Sequence, residues 1–210
     1  MDTFFANTRP GKEVTYGEIT FELPILYFRY DFFGLYFTAN AEKVSAIMPS
    51  NRLYPVTMPN GKAFIAVGAF NYIDTTIGTY GEVSVVIPVI YGKKQFPFQG
   101  IISALMESRY PGFGLLVQHL PVTNTMARDA GRKEWGYTKF VADMHFNITP
   151  EYMECQMKEE DQHILDIRVA RKGFLMKDTK PIVTFSVKNT KLLKTIIPQK
   201  GIKRASLSTK

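Results

Sequence analysis

AFIAVGAFN (residues 63–71) and EVSVVIPVIY (residues 82–91) are two runs of β-branched and aromatic side chains, joined by a Gly/Thr-rich connection at 75–81. Runs of this kind read as strands, and the short connection makes them a hairpin-like unit. Upstream, TYGEITFEL (15–23) and PILYFRYDFFGLYFTA (24–39) have the same character. Arg29 and Asp31 interrupt the second run well short of the roughly 20 clean apolar residues a membrane span needs, so it reads as core. Asn40 is placed to cap a short helix over 41–48 that Pro49 ends, and Pro59-Asn60-Gly61 marks a turn. Downstream, the pattern predicts a helix over 98–108, a strand over 113–120 and a helix over 123–131 stopped by Gly131. Strands are then expected over 140–148, 152–158, 163–171 and 182–188. With no repeat and no linker, residues 1–187 read as one mainly β domain of the α+β class. The expected architecture is a closed or strongly curved, mainly antiparallel sheet with a few short helices.

The 210 residues carry 26 Lys+Arg against 19 Asp+Glu. Seven of those 26 lie from Lys188 onward, where no acid occurs, so residues 1–187 hold 19 of each sign. The basicity thus belongs to a C-terminal segment, 188–210, read as a solvated tail. A neutral body argues against a nucleic-acid partner, and no membrane partner is expected. Cys155 is the only cysteine, which excludes a disulfide-stapled scaffold. The opening MDTFFANTRPGKE has neither a basic n-region nor an apolar h-region, and the expected location is cytoplasmic.

Motif searches exclude several chemistries. The sequence has no phosphate-binding P-loop, no G-x-S-x-G, no H-E-x-x-H and no C-x-x-C. His119, His145 and His163 are scattered without ligand spacing, so no metal and no cofactor are expected. What stands out is RDAGRKEWGYTKF (128–140), where Lys139 sits among Trp135, Tyr137, Phe140 and Val141. A lysine amine has an ordinary pKa of about 10.4, so nearly all of it is protonated at neutral pH. Burial in an apolar pocket lowers such a value by up to about 3–5 units and frees the nucleophilic form. Position alone also fits an exposed lysine whose stem covers the core.

GRKEWGYTKFVADM, with the preceding MARDA and with YGEVSVVIPV at 80–89, resembles the acetoacetate decarboxylase superfamily. AEKVSAIMP at 41–49 is similar to that family's short helix. The resemblance implies a cone-like, mainly antiparallel β-barrel, usually a homo-oligomer, with a Schiff-base lysine inside, here Lys139. It implies an active-site glutamate at Glu82, after Tyr80-Gly81, although a solvent-facing carboxylate at a strand start fits that position equally. Substrate contacts are expected from Tyr80, Trp135, Tyr137 and Phe140, and from Arg29 in place of a family arginine that aligns near Thr38. The second lysine of the decarboxylases is Phe140 here, a second glutamate falls near Gly68, and the proline before the lysine is Thr138. The implied activity is that of a lyase acting on a small keto acid, with decarboxylation of a β-keto acid such as acetoacetate in front. Aldolase-dehydratase or cyclase chemistry on a larger keto acid is the alternative, together with a non-catalytic ligand-binding protein on the same barrel. What separates catalysis from mere binding is whether Lys139 is buried beside Glu82.

Overall fold

The computed structural model describes residues 3–5, 8–9, 11–92, 112–178 and 180–205; the helix expected over 98–108 lies outside them. A short 3-10 helix (Thr3–Phe5) precedes the hairpin β1 (Lys12–Tyr16) and β2 (Ile19–Leu23). The turn at Gly17-Glu18 thus divides what the sequence suggests as one strand. Next come β3 (Tyr27–Asn40), α1 (Ala41–Ala46), β4 (Leu53–Pro55), β5 (Lys62–Thr75), β6 (Tyr80–Tyr91) and β7 (Phe113–His119). The chain continues through α2 (Thr125–Trp135), β8 (Asp143–Ile148), β9 (Tyr152–Glu159), β10 (Gln162–Ala170) and β11 (Phe174–Asp178). β12 (Ile182–Lys188), β13 (Lys191–Ile197) and β14 (Gly201–Ala205) complete it.

The main sheet runs β13-β12-β7-β6-β5-β3, with β4 paired to β6; only the β12–β7 pairing is parallel. Its centre is β6, buried along nearly its whole length. That is why its sequence is an almost unbroken apolar run rather than an alternation. One face of the sheet packs on the three-stranded sheet β10-β9-β8 through Phe33, Ala69, Val83, Cys155, Met157 and Ile167. Further along, α1 buries Val44 against Leu53, Ile87, Leu116 and Phe185.

Closure into a barrel does not occur among the described residues. β3 and β13 end the sheet, and each has one strand partner. The sheet curves enough that the Tyr30 hydroxyl of β3 donates to Gln199 Oε1 just beyond β13, at 3.3 Å, yet no backbone ladder joins the two edges. The basic C-terminal segment also departs from expectation, because Lys191–Ile197 is a paired edge strand and Gly201–Ala205 pairs with β11. Lys191 and Lys194 of β13 are exposed. Lysines on a sheet edge discourage further strand addition, which accounts for charge there without a free tail.

Candidate active site

Two elements bring the lysine to the glutamate. α2 begins at Asn124, whose side chain accepts from the Ala127 N–H at 2.7 Å, and ends at Gly136 in the left-handed region (φ 65°). The helix therefore runs four residues past Gly131, the expected stop, to Trp135. A glycine is needed at 136 because the chain must reverse there, and its N–H closes on Arg132 O at 3.2 Å. After the reversal the chain runs extended beside residues 120–122. Leu120 N–H donates to Thr138 O (3.1 Å), Val122 N–H to Phe140 O (2.9 Å) and Ala142 N–H to Val122 O (3.0 Å). That stretch is itself tied to β6 by Val83 N–H to Pro121 O at 3.0 Å. Lys139 is thus delivered to Glu82 across one intervening strand of chain.

Lys139 Nζ donates to Glu82 Oε2 at 2.5 Å, and both residues are 6% exposed. The stem of Lys139 crosses α2 at Gly131, where a Cβ would lie within 2.5 Å of its Cδ and Cε. Gly131 is therefore a notch in the helix that admits the lysine. A tyrosine cluster surrounds the pair. The Tyr80 ring centroid is 5.9 Å from Nζ, the Tyr72 hydroxyl is 3.4 Å from Glu82 Oε1, and the Tyr27 and Tyr80 hydroxyls meet at 3.0 Å. Burial, with the Glu82 charge adding to it, pushes the Tyr27 and Tyr72 hydroxyls well above their ordinary pKa, and burial does the same for Tyr80. All three remain protonated donors at neutral pH.

The other sequence candidates divide. Tyr137 is 9% exposed, shares a hydrogen bond with Thr184 at 2.7 Å, and stacks on Trp135 at 6.3 Å. Both pack with Val86, Val117 and Leu120. Phe140 does not join them. One residue further along an extended chain it points the other way, into the inter-sheet cluster with Val83 and Ala142. Arg29 is exposed at an irregularity of β3, opposite Asp74, and no contact links it to the pair among the described residues. Cys155 is fully buried, with its thiol pushed up to about 12 by burial. No group of three or more His, Cys, Asp or Glu capable of holding a metal occurs among the described residues. Tyr27 and Tyr72 are the residues sequence reasoning missed. Ending the predicted strand at Asn71 cuts Tyr72 from the face that carries Gly68 and Phe70, in a strand that continues to Thr75.

The family model described as acetoacetate decarboxylase (ADC) matches residues 11–208. The chain belongs to the acetoacetate decarboxylase family. The Legionella pneumophila acetoacetate decarboxylase structure is similar in fold, with a TM-score of 0.62 at 15% identity over 88% of this chain and 75% of that one. A second acetoacetate decarboxylase structure gives 0.62 at 11% identity, covering 88% of this chain and 77% of that one. An enduracididine biosynthesis enzyme, MppR, complexed with pyruvate gives 0.52 at 7% identity, covering 84% and 76%. No curated protein sequence matches this one. Against the family pattern, Thr38 lies exposed on β3 and Gly68 lies opposite Ser84. No helix among the described residues is long and apolar enough to cross a membrane.

Proposed function

We propose that the protein is an imine-forming lyase that decarboxylates a β-keto acid, with Lys139 as nucleophile and Glu82 as its proton partner. The observation that carries this reading is the 2.5 Å contact between two buried, ionisable groups inside a tyrosine cluster. A buried ion pair is a poor source of stability, because desolvation consumes most of the attraction. A pair placed inside a family of lysine-dependent lyases is better explained by chemistry.

The steps balance as follows. The Lys139 ammonium passes a proton to Glu82 across their hydrogen bond, which removes both buried charges at once. The neutral amine adds to the substrate ketone; Glu82 returns its proton to the carbinolamine hydroxyl, which leaves as water, and a protonated imine forms. The bond to the carboxylate then breaks, carbon dioxide leaves, and its electron pair flows to the iminium nitrogen, giving an enamine. Glu82, a carboxylate again, takes up a solvent proton and passes it to the enamine carbon, which restores an iminium, and hydrolysis by water releases the ketone and returns Lys139 as the ammonium. Tyr72 and Tyr80 hold the carboxylate and the amine in register.

Aldol-type cleavage of a larger keto acid is the second reading; it draws on the similar fold of the pyruvate-complexed enzyme and uses the same iminium. Nuclear magnetic resonance of reactions with carboxyl-labelled 3-oxo acids separates the two. Labelled carbon dioxide and a ketone, formed by the wild type and lost in Lys139→Met, support decarboxylation. Aldehyde release with the carboxylate retained supports the aldol reading, and an unchanged Lys139→Met rate overturns both.

A further inference from the structure

We infer that the substrate carries an apolar chain of about three carbons or more, or an aryl ring, on its ketone, and that Phe32, Phe70 and Gly68 select it. The inference rests on Lys139 being the imine-forming residue. Tyr72 is 4.6 Å from Tyr80, Phe70 stacks on Tyr72 at 5.5 Å and 9°, and Phe32 lies 4.5 Å from Phe70. These rings form a continuous wall from Tyr80, 5% exposed beside Lys139, to Phe32, 50% exposed at the surface.

Pairing fixes what lies along that wall. Phe32, Phe70 and Glu82 form one row across β3, β5 and β6, and the next row on the same face is Gly34, Gly68 and Ser84. Strand geometry puts Ser84 about 6.6 Å from Glu82 along β6, with Gly68 about 7–8 Å away on the diagonal. The Phe32 ring lies over both glycines: a Cβ on Gly68 would meet its Cε2 at 2.7 Å, and one on Gly34 would meet its Cζ at 3.3 Å. Swinging this half-exposed ring outward opens a slot floored by backbone and walled by Phe70, one substituent's length from the amine. A methyl group, as in acetoacetate, reaches none of it.

Charge points the same way. Neither row contains a cation, and Arg29 lies exposed against Asp74. Among the described residues no arginine lies against Glu82 to neutralise a substrate carboxylate bound there, so binding draws on the remote apolar group. The unpaired charge then disappears as carbon dioxide leaves, and that binding energy appears in the rate.

The test measures kcat/KM and borohydride-trapped imine at Lys139 for acetoacetate, 3-oxohexanoate, 3-oxooctanoate and benzoylacetate. Each buried methylene is worth about fourfold, so 3-oxohexanoate should exceed acetoacetate by about 10-fold or more. Gly68→Val, which fills the slot, should lower that ratio at least about 10-fold. Phe32→Ala, at a half-exposed position that does not endanger folding, should lower it as well. Imine at Lys139 with equal rates for all four acids, or ratios unmoved in both variants, overturns the inference and leaves the imine reading standing. Absence of imine with every acid overturns the imine reading first.

Discussion

Substituting Gly131→Ala tests whether the notch in α2 places the lysine. The new Cβ would sit within 2.5 Å of Lys139 Cδ and Cε, whereas an ordinary carbon–carbon contact is about 3.5–4.0 Å. The stem must therefore move by about 1 Å. It has little room to do so, since it is 6% exposed and its amine is held 2.5 Å from Glu82. Two stability effects oppose each other. Alanine in a helix interior gains about 1 kcal/mol over glycine, and overpacking costs about 1–3 kcal/mol. The net loss is then about 0–2 kcal/mol, or at most about 8 °C in Tm for a chain of this size. A 1 Å displacement of a reacting group, by contrast, costs about 100-fold in rate. Thermal unfolding and the rate of borohydride-trapped imine, measured side by side, should show a small shift in the first and a large one in the second. Trapping at Lys139 at the wild-type rate in Gly131→Ala would refute the notch.

Glu82→Gln leaves Lys139 buried without its counter-ion and should destabilise the fold by about 3–5 kcal/mol, while Lys139→Met with Glu82→Gln should recover much of that loss in denaturant unfolding. Recovery of nothing would mean the pair is not coupled. The hydroxyls of Tyr27, Tyr72 and Tyr80 are raised by burial, so the native state holds protons that the unfolded state releases above pH ~10. Their contribution is fully present below that pH and is lost as pH rises beyond it; phenolate absorbance from these residues should appear only with unfolding, and early ionisation would contradict their burial. Cys155, fully buried with its thiol at about 12, should resist thiol reagents at pH 8 until denaturant is added.

Local periodicity carried most strand positions: β7 and β12 fall where alternation and length place them, because both are bounded by clear turn signals. What depends on distant partners was not legible. Gly131 reads as a helix stop, since a terminal glycine and a glycine making room for a crossing side chain look alike in one dimension. The C-terminal lysines read as a tail, although Lys191 and Lys194 are exposed residues of a paired edge strand. Phe140 is the neighbour of Lys139 in sequence, yet extended chain turns adjacent residues to opposite faces. Lys139 and Glu82 lie 57 positions apart. Nothing local joins them, and only the resemblance of two separated motifs nominated both. The curvature that brings Tyr30 near Gln199 without closing a barrel arises from the register of the whole sheet, and no single segment encodes it.

The most direct measurement is the location of the covalent adduct. The protein is incubated with a 3-oxo acid and sodium borohydride, digested, and peptide-mapped by mass spectrometry. The account predicts a secondary amine on Lys139, absent in Lys139→Ala and much reduced in Glu82→Gln. An adduct on another lysine with Lys139 unmodified, or equal labelling in Lys139→Ala, would contradict it.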